Sequence, residues 1–179
     1  MTLGRGSILA LAALVCSFAP VAAATPQPLQ TSLEYSVKAN YLVRFAAFVE
    51  WPRASFADSQ SPVVICVVGR DPFEESLDRA ARAQTAHGRA LVVRRPGTVE
   101  AAAGCHIIYV GRGGGSLVPV GQRPILLVSD GAVSSDRGMI HFVVSDDRVR
   151  FHIDLQAASR DRLSISSRLL NLALSVRGG

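Results

Sequence analysis

Val63-Val64-Ile65-Cys66-Val67-Val68-Gly69-Arg70-Asp71-Pro72-Phe73 carries the argument for the fold. Six consecutive apolar residues are too few for a buried helix and leave no polar face, so they predict a strand covered on both sides. Gly69 ends the run. Asp71 and Pro72 are helix-start signals, a carboxylate to cap free N–H groups and a ring that suits the first helical position. A helix is expected from there to about Gln84, with Phe73, Leu77 and Ala81 turned inward. A two-faced strand running straight into a helix is the building unit of a parallel sheet.

Upstream, Val37, Tyr41, Phe45 and Phe48 recur at helical steps, and Pro52 predicts that this helix stops at Trp51. Thr31 or Ser32 is the expected cap, with residues 25–31 as a loose Pro-containing lead and Ala54–Pro62 as a polar connector. Trp51 either caps the core or lies on a dimer face. Downstream, short strands are expected at Arg89–Arg94, Ile107–Val110 and Pro124–Val128. Brief helices are expected at Thr98–Ala103 and Ser116–Gly121. Met139–Val144 and Arg148–Asp154 predict a hairpin turning at Ser145-Asp146-Asp147, with Val149, Phe151 and Ile153 inward and Arg148, Arg150 and His152 on a wet face. Ile165, Leu169, Leu172 and Val176 predict a last helix over Ser164–Val176. The fold class is therefore α/β: a single-domain α/β/α sandwich over 32–179, with a mixed, mostly parallel sheet and a C-terminal hairpin plus helix.

Residues 1–24 have the form of a secretory signal peptide: Arg5, an apolar stretch from Ile8 to Phe18, and Ala22-Ala23-Ala24 before the expected cut. That predicts export of the rest of the chain. The charge is mildly basic, +5 overall. The arginines are scattered without interleaved aromatics, which argues against a nucleic-acid partner. Cys16 would leave with the leader. Cys66 and Cys105 in an oxidising compartment suggest one disulfide, with two buried thiols as the alternative.

Little points to catalysis. Gly111-Arg112-Gly113-Gly114-Gly115 follows a strand but lacks the Lys-Ser/Thr of a phosphate loop, so a flexible connection is the better reading. Ser129-Asp130 with His141 or His152 can be written as a triad, yet no nucleophile elbow surrounds the serine. His87, before Gly88, is read at a helix end. Two cysteines and dispersed histidines offer no metal spacing, and no cofactor is implied. Gly69, Arg70 and Asp71, at the carboxyl end of a strand, form a possible ligand loop.

Seven segments taken in order resemble the YfiR family of periplasmic regulators: Val37–Pro52, Ile65–Phe73, Cys105–Val110, Leu127–Asp130, Gly138–Phe142, Arg148–Ile153 and Leu163–Leu170. The resemblance implies a homodimeric, non-enzymatic α/β domain. It implies a partner as well, the periplasmic sensor domain of a membrane-bound diguanylate cyclase, which the domain represses, or another membrane sensor. Cys66 and Cys105 look like one family disulfide; the second pair of some members has no counterpart here. The candidate partner surface is Arg150, Phe151, His152, Arg168 and Leu170. A small-ligand sensor serving a histidine kinase or transport system is the alternative.

Overall fold

The computed structural model describes residues 28–98, 101–115, 123–133 and 137–178. The expected signal peptide and the Ser116–Gly121 helix lie outside them, as do two residues of the Thr98–Ala103 helix; the described part of that stretch is a turn. In chain order the elements are α1 (Pro28–Phe48), β1 (Val49–Glu50), β2 (Val63–Val68), α2 (Glu75–Arg82), β3 (Thr85–Ala86), β4 (Arg89–Arg94) and β5 (Ile107–Val110). There follow β6 (Leu126–Asp130), β7 (Ile140–Ser145), β8 (Arg148–Asp154), α3 (Leu155–Arg160), β9 (Ser164–Ile165), α4 (Ser167–Leu170) and β10 (Ser175–Arg177).

Eight strands form one sheet in the order β10-β8-β7-β6-β5-β2-β4-β3. It is parallel except at the β7–β8 hairpin and at β3–β4, so the mixed, mostly parallel α/β reading holds. All four helices contribute to the core on one face, where Leu42, Phe45, Leu77, Ala158 and Leu169 meet Ile65, Ile107, Leu126, Phe142 and Phe151. Tyr41, Phe45, Phe142 and Phe151 pack ring against ring, with centroids 5.2–6.4 Å apart. The opposite face carries a smaller cluster of Cys66, Val68, Ala102, Cys105, Ile108, Val110, Ile125 and Leu127.

Several expectations need correction. α1 begins at Pro28, ahead of Thr31 and Ser32, so part of the supposed lead is helical. It ends at Phe48, because Val49 and Glu50 leave the helix to pair with Ile165 and Ser164. Its core face is also turned: Lys38, Leu42, Phe45 and Ala46 are buried, whereas Val37 is exposed. α2 starts four residues after Asp71, which instead makes an Asx turn, its Oδ1 accepting from the Phe73 N–H at 2.7 Å. His87 and Gly88 both have positive φ and turn the β3–β4 hairpin, not a helix end.

The largest correction concerns the end of the chain. The helix that follows the hairpin is α3, capped by Asp154, whose side chain accepts from the Ala157 N–H. The stretch read as one helix over Ser164–Val176 is β9, the single turn of α4, and then β10, which lies parallel beside β8. Leu172 and Val176, expected inside, are exposed. The free edge of β8 offers hydrogen bonds to the tail that helical continuation would forgo.

Candidate functional site

Parallel strands end together at Val68, Val110 and Asp130, and ligands of open α/β sheets bind at such an end. Here two loops lie against each other over β2 and β5, and a cavity of about 220 Å³ lined by Gly111, Arg112, Ser129 and Val133 remains beside β6. The Arg70 N–H donates to the Arg112 carbonyl at 2.9 Å, and the Gly111 N–H donates to the Val68 carbonyl at 2.8 Å. A Cβ on Gly69 would sit 2.6 Å from the Gly114 nitrogen, and one on Gly111 would strike the Arg70 carbonyl. The glycines of both loops thus permit backbone to lie on backbone. Asp71 is engaged as well: its Oδ2 accepts from Arg95 Nε at 2.7 Å, while Arg95 Nη2 reaches Asp78 Oδ2 at 2.5 Å. Gly69, Arg70 and Asp71 therefore brace the turn into α2.

Beneath these loops lies a buried charge that sequence reasoning missed. Lys38, fully buried in α1, donates from Nζ to Asp130 Oδ2 at 2.7 Å and to Glu34. The Tyr109 hydroxyl donates to the same Oδ2 at 2.9 Å, and the Ala132 N–H donates to Oδ1. Tyr35 is hydrogen-bonded to Tyr109, and burial with the Asp130 charge pushes its phenol up to about 12. The same two causes raise Tyr109, so both phenols stay protonated. The network ties α1 to the sheet and leaves no base or nucleophile uncommitted.

Of the triad residues, Ser129 and His141 meet, but Asp130 is turned away from them. Alternation along β6 sends Asp130 to Lys38 on the helix face and Ser129 to the other. Ser129 Oγ accepts from the Gly138 N–H at 2.7 Å and lies 2.7 Å from His141 Nδ1. His141 faces His152 across β7–β8, and His152 Nδ1 lies 2.7 Å from Ser175 Oγ. A polar row thus crosses four neighbouring strands. Among the described residues no group of His, Cys, Asp or Glu is arranged to hold a metal ion.

The five candidate contact residues divide. Arg150 and His152 are half-buried and share the face of that polar row. Phe151 is fully buried in the helix-side core, so it is withdrawn from the contact surface. Arg168 is exposed on α4, and Leu170 packs partly against the same core as Phe151. The structure therefore does not gather the five into one patch.

On the far face, Cys66 and Cys105 form a disulfide, with Cα atoms 5.9 Å apart. The next residue, His106, holds the neighbouring loop. Its Nδ1 accepts from the Val64 N–H at 3.0 Å, which leaves Nε2–H to donate to the Ser55 carbonyl at 3.1 Å. Its ring stacks on Phe56 at 4.5 Å, and the Arg89 guanidinium covers the other side of Phe56 at 3.9 Å. Trp51 stands edge-on to His106 and donates from Nε1 to its carbonyl, so it caps this assembly.

Burial lowers the pKa of His106 from its usual 6.5, and the Arg89 charge adds to the shift. Burial, followed by the Arg137 charge, lowers His141 and His152 also. Between the depressed folded values and the unfolded value of 6.5, the unfolded chain binds more protons. These histidines thus contribute stability in full above pH 6.5, and it drains away as pH falls through the folded values. Melting temperature should decline in that window, and His106→Gln, which keeps a polar group there, should flatten the decline. An unchanged slope in the variant would remove His106 as a cause.

No helix among the described residues is long and apolar enough to cross a membrane. No curated protein matches the chain. A family model described as YfiR/HmsC-like matches residues 35–174. That match runs from the first turns of α1 almost to β10 and covers well over half of the sequence, so the chain belongs to the YfiR/HmsC-like family.

Proposed function

We propose that this protein is a periplasmic regulator that binds the outer sensor domain of a membrane-anchored diguanylate cyclase and holds it inactive, lowering cyclic di-GMP and biofilm formation. The family match over 35–174 carries the reading. The Cys66–Cys105 disulfide supports it, because such bonds persist in an oxidising compartment. We also propose that the regulator acts as a homodimer, and that Arg150 and His152, with Arg168 at a separate place, contribute contacts.

The mechanism is a population shift. A domain that binds only the inactive conformer of a receptor moves the equilibrium by its differential affinity, and a switch from mostly on to mostly off needs about 5.5 kcal/mol. Reduction of the disulfide would loosen β2 against the approach to β5 and lower the share of binding-competent regulator. Deleting the gene should raise cellular cyclic di-GMP, and wild type supplied in trans should restore it. A Cys66→Ala, Cys105→Ala protein that is exported and folded yet fails to restore it would place the disulfide in the regulation. Unchanged cyclic di-GMP on deletion would remove the cyclase reading.

A further inference from the structure

The outer edge of β8 is only partly covered. β10 pairs with it at His152, Ile153 and Asp154, and the Leu174 N–H donates to the Phe151 carbonyl at 2.8 Å. Backbone groups alternate in direction along a strand, so the N–H and C=O of Val149 point to the same side as the Phe151 carbonyl. Among the described residues no strand pairs with β8 there. A cavity of about 350 Å³ is lined by the residues that flank this notch: Ser145, Asp146, Arg148, Arg150 and Leu174.

The two arginines are uncommitted. Arg150 is half-buried, and its Nε is closed to solvent without a hydrogen-bond partner. Among the described residues no acid forms an ion pair with Arg148 or Arg150. Asp146, the acid in the lining, accepts from the Ser145 hydroxyl instead. The Arg137 charge also bears on His152, which shares the face of Arg148 and Arg150. Charges that only deter strand pairing at a sheet edge have no need to leave water. A buried donor without an acceptor destabilises the empty site and favours a ligand that brings one.

We propose that this notch docks an extended, acidic segment of a protein partner. The segment's backbone would pair with Val149 and continue the edge that β10 leaves. Carboxylates two residues apart would lie on one face of the segment, the spacing of Arg148 and Arg150 on β8. One of them would draw the Arg150 guanidinium out into the cavity and satisfy its Nε. Identifying the partner as the sensor domain rests on the cyclase reading; the chemistry of the notch does not.

The probe is a capped six-residue peptide of alternating valine and glutamate, titrated into the oxidised protein and followed by amide NMR. Saturable shifts centred on Val149, Arg150 and Leu174 are expected, with slower exchange of the Val149 amide and weaker binding as salt rises. Arg150→Gln should weaken the peptide about tenfold, the loss of one charged hydrogen bond. Arg44→Gln, at an exposed position of α1, should leave binding unchanged. Shifts that never saturate, equal binding of a valine–lysine peptide, or unchanged affinity in an Arg148→Gln, Arg150→Gln protein would overturn the site. In cells the two readings separate. If the double variant restores low cyclic di-GMP to the deletion strain as well as wild type does, the docking site is overturned and the cyclase reading stands. If deletion leaves cyclic di-GMP unchanged while the peptide binds as expected, the cyclase reading falls and the site stands.

Discussion

Lys38→Met is expected to destabilise the fold by about 3–5 kcal/mol, the cost of removing one partner from a buried ion pair. Lys38 is fully buried, and its ammonium is the only cation among the described residues that hydrogen-bonds Asp130, itself 1% exposed. Without it, the carboxylate would keep, among the described residues, the Tyr109 hydroxyl and the Ala132 N–H. Methionine occupies a similar volume, so the loss reports charge rather than a cavity. In a domain of this size it should lower the melting temperature by about 10 °C. Lys38→Met combined with Asp130→Asn should recover most of the loss, because the amide still accepts from Tyr109 and carries no charge to strand. Glu34→Gln should cost under about 1 kcal/mol, since that carboxylate is 26% exposed. A double variant no more stable than Lys38→Met would show that the pair matters through packing, not charge.

Removing the disulfide should be nearly as costly. Cys66 and Cys105 are separated by 39 positions, and the chain-entropy estimate for a loop of that length is about 4 kcal/mol. Alanine is the better replacement at both positions, because Cys66 is fully buried among Val68, Ile108 and Leu127 and a serine would bury a hydroxyl there. Urea melts of Cys66→Ala, Cys105→Ala should show a lower midpoint. Wild type treated with dithiothreitol should shift the same way. If the alanine protein melts with wild type, the link neither holds the far face together nor offers redox control through stability.

The sheet is legible in the sequence because each central strand is a short apolar run punctuated by Gly, Asp or Pro. Val63–Val68 and Ile107–Val110 lie where those signals place them, and Arg148–Asp154 lies where its alternation of polar and apolar residues does. The C-terminal segment is not legible for the opposite reason. Leu169, Leu172 and Val176 repeat at helical intervals, but β10 forms by pairing with β8, a long-range choice that local periodicity does not report. Lys38 is hidden by a similar logic: a lysine in a helix reads as solvent-facing until the acid that neutralises it, 92 positions away, is in place.

The pairing of β1 with β9 sets the order in which this protein can be built. Val49 lies against Ile165, and α1 leans on Asp130, Phe142 and Phe151. A polypeptide emerging amino-terminus first from a ribosome or a membrane pore presents its longest helix at the outset and the partners of that helix near the close. Its apolar stripe must wait, uncovered, until almost the whole chain is out, so folding should be slow and largely post-emergence, with a holding chaperone protecting α1 meanwhile.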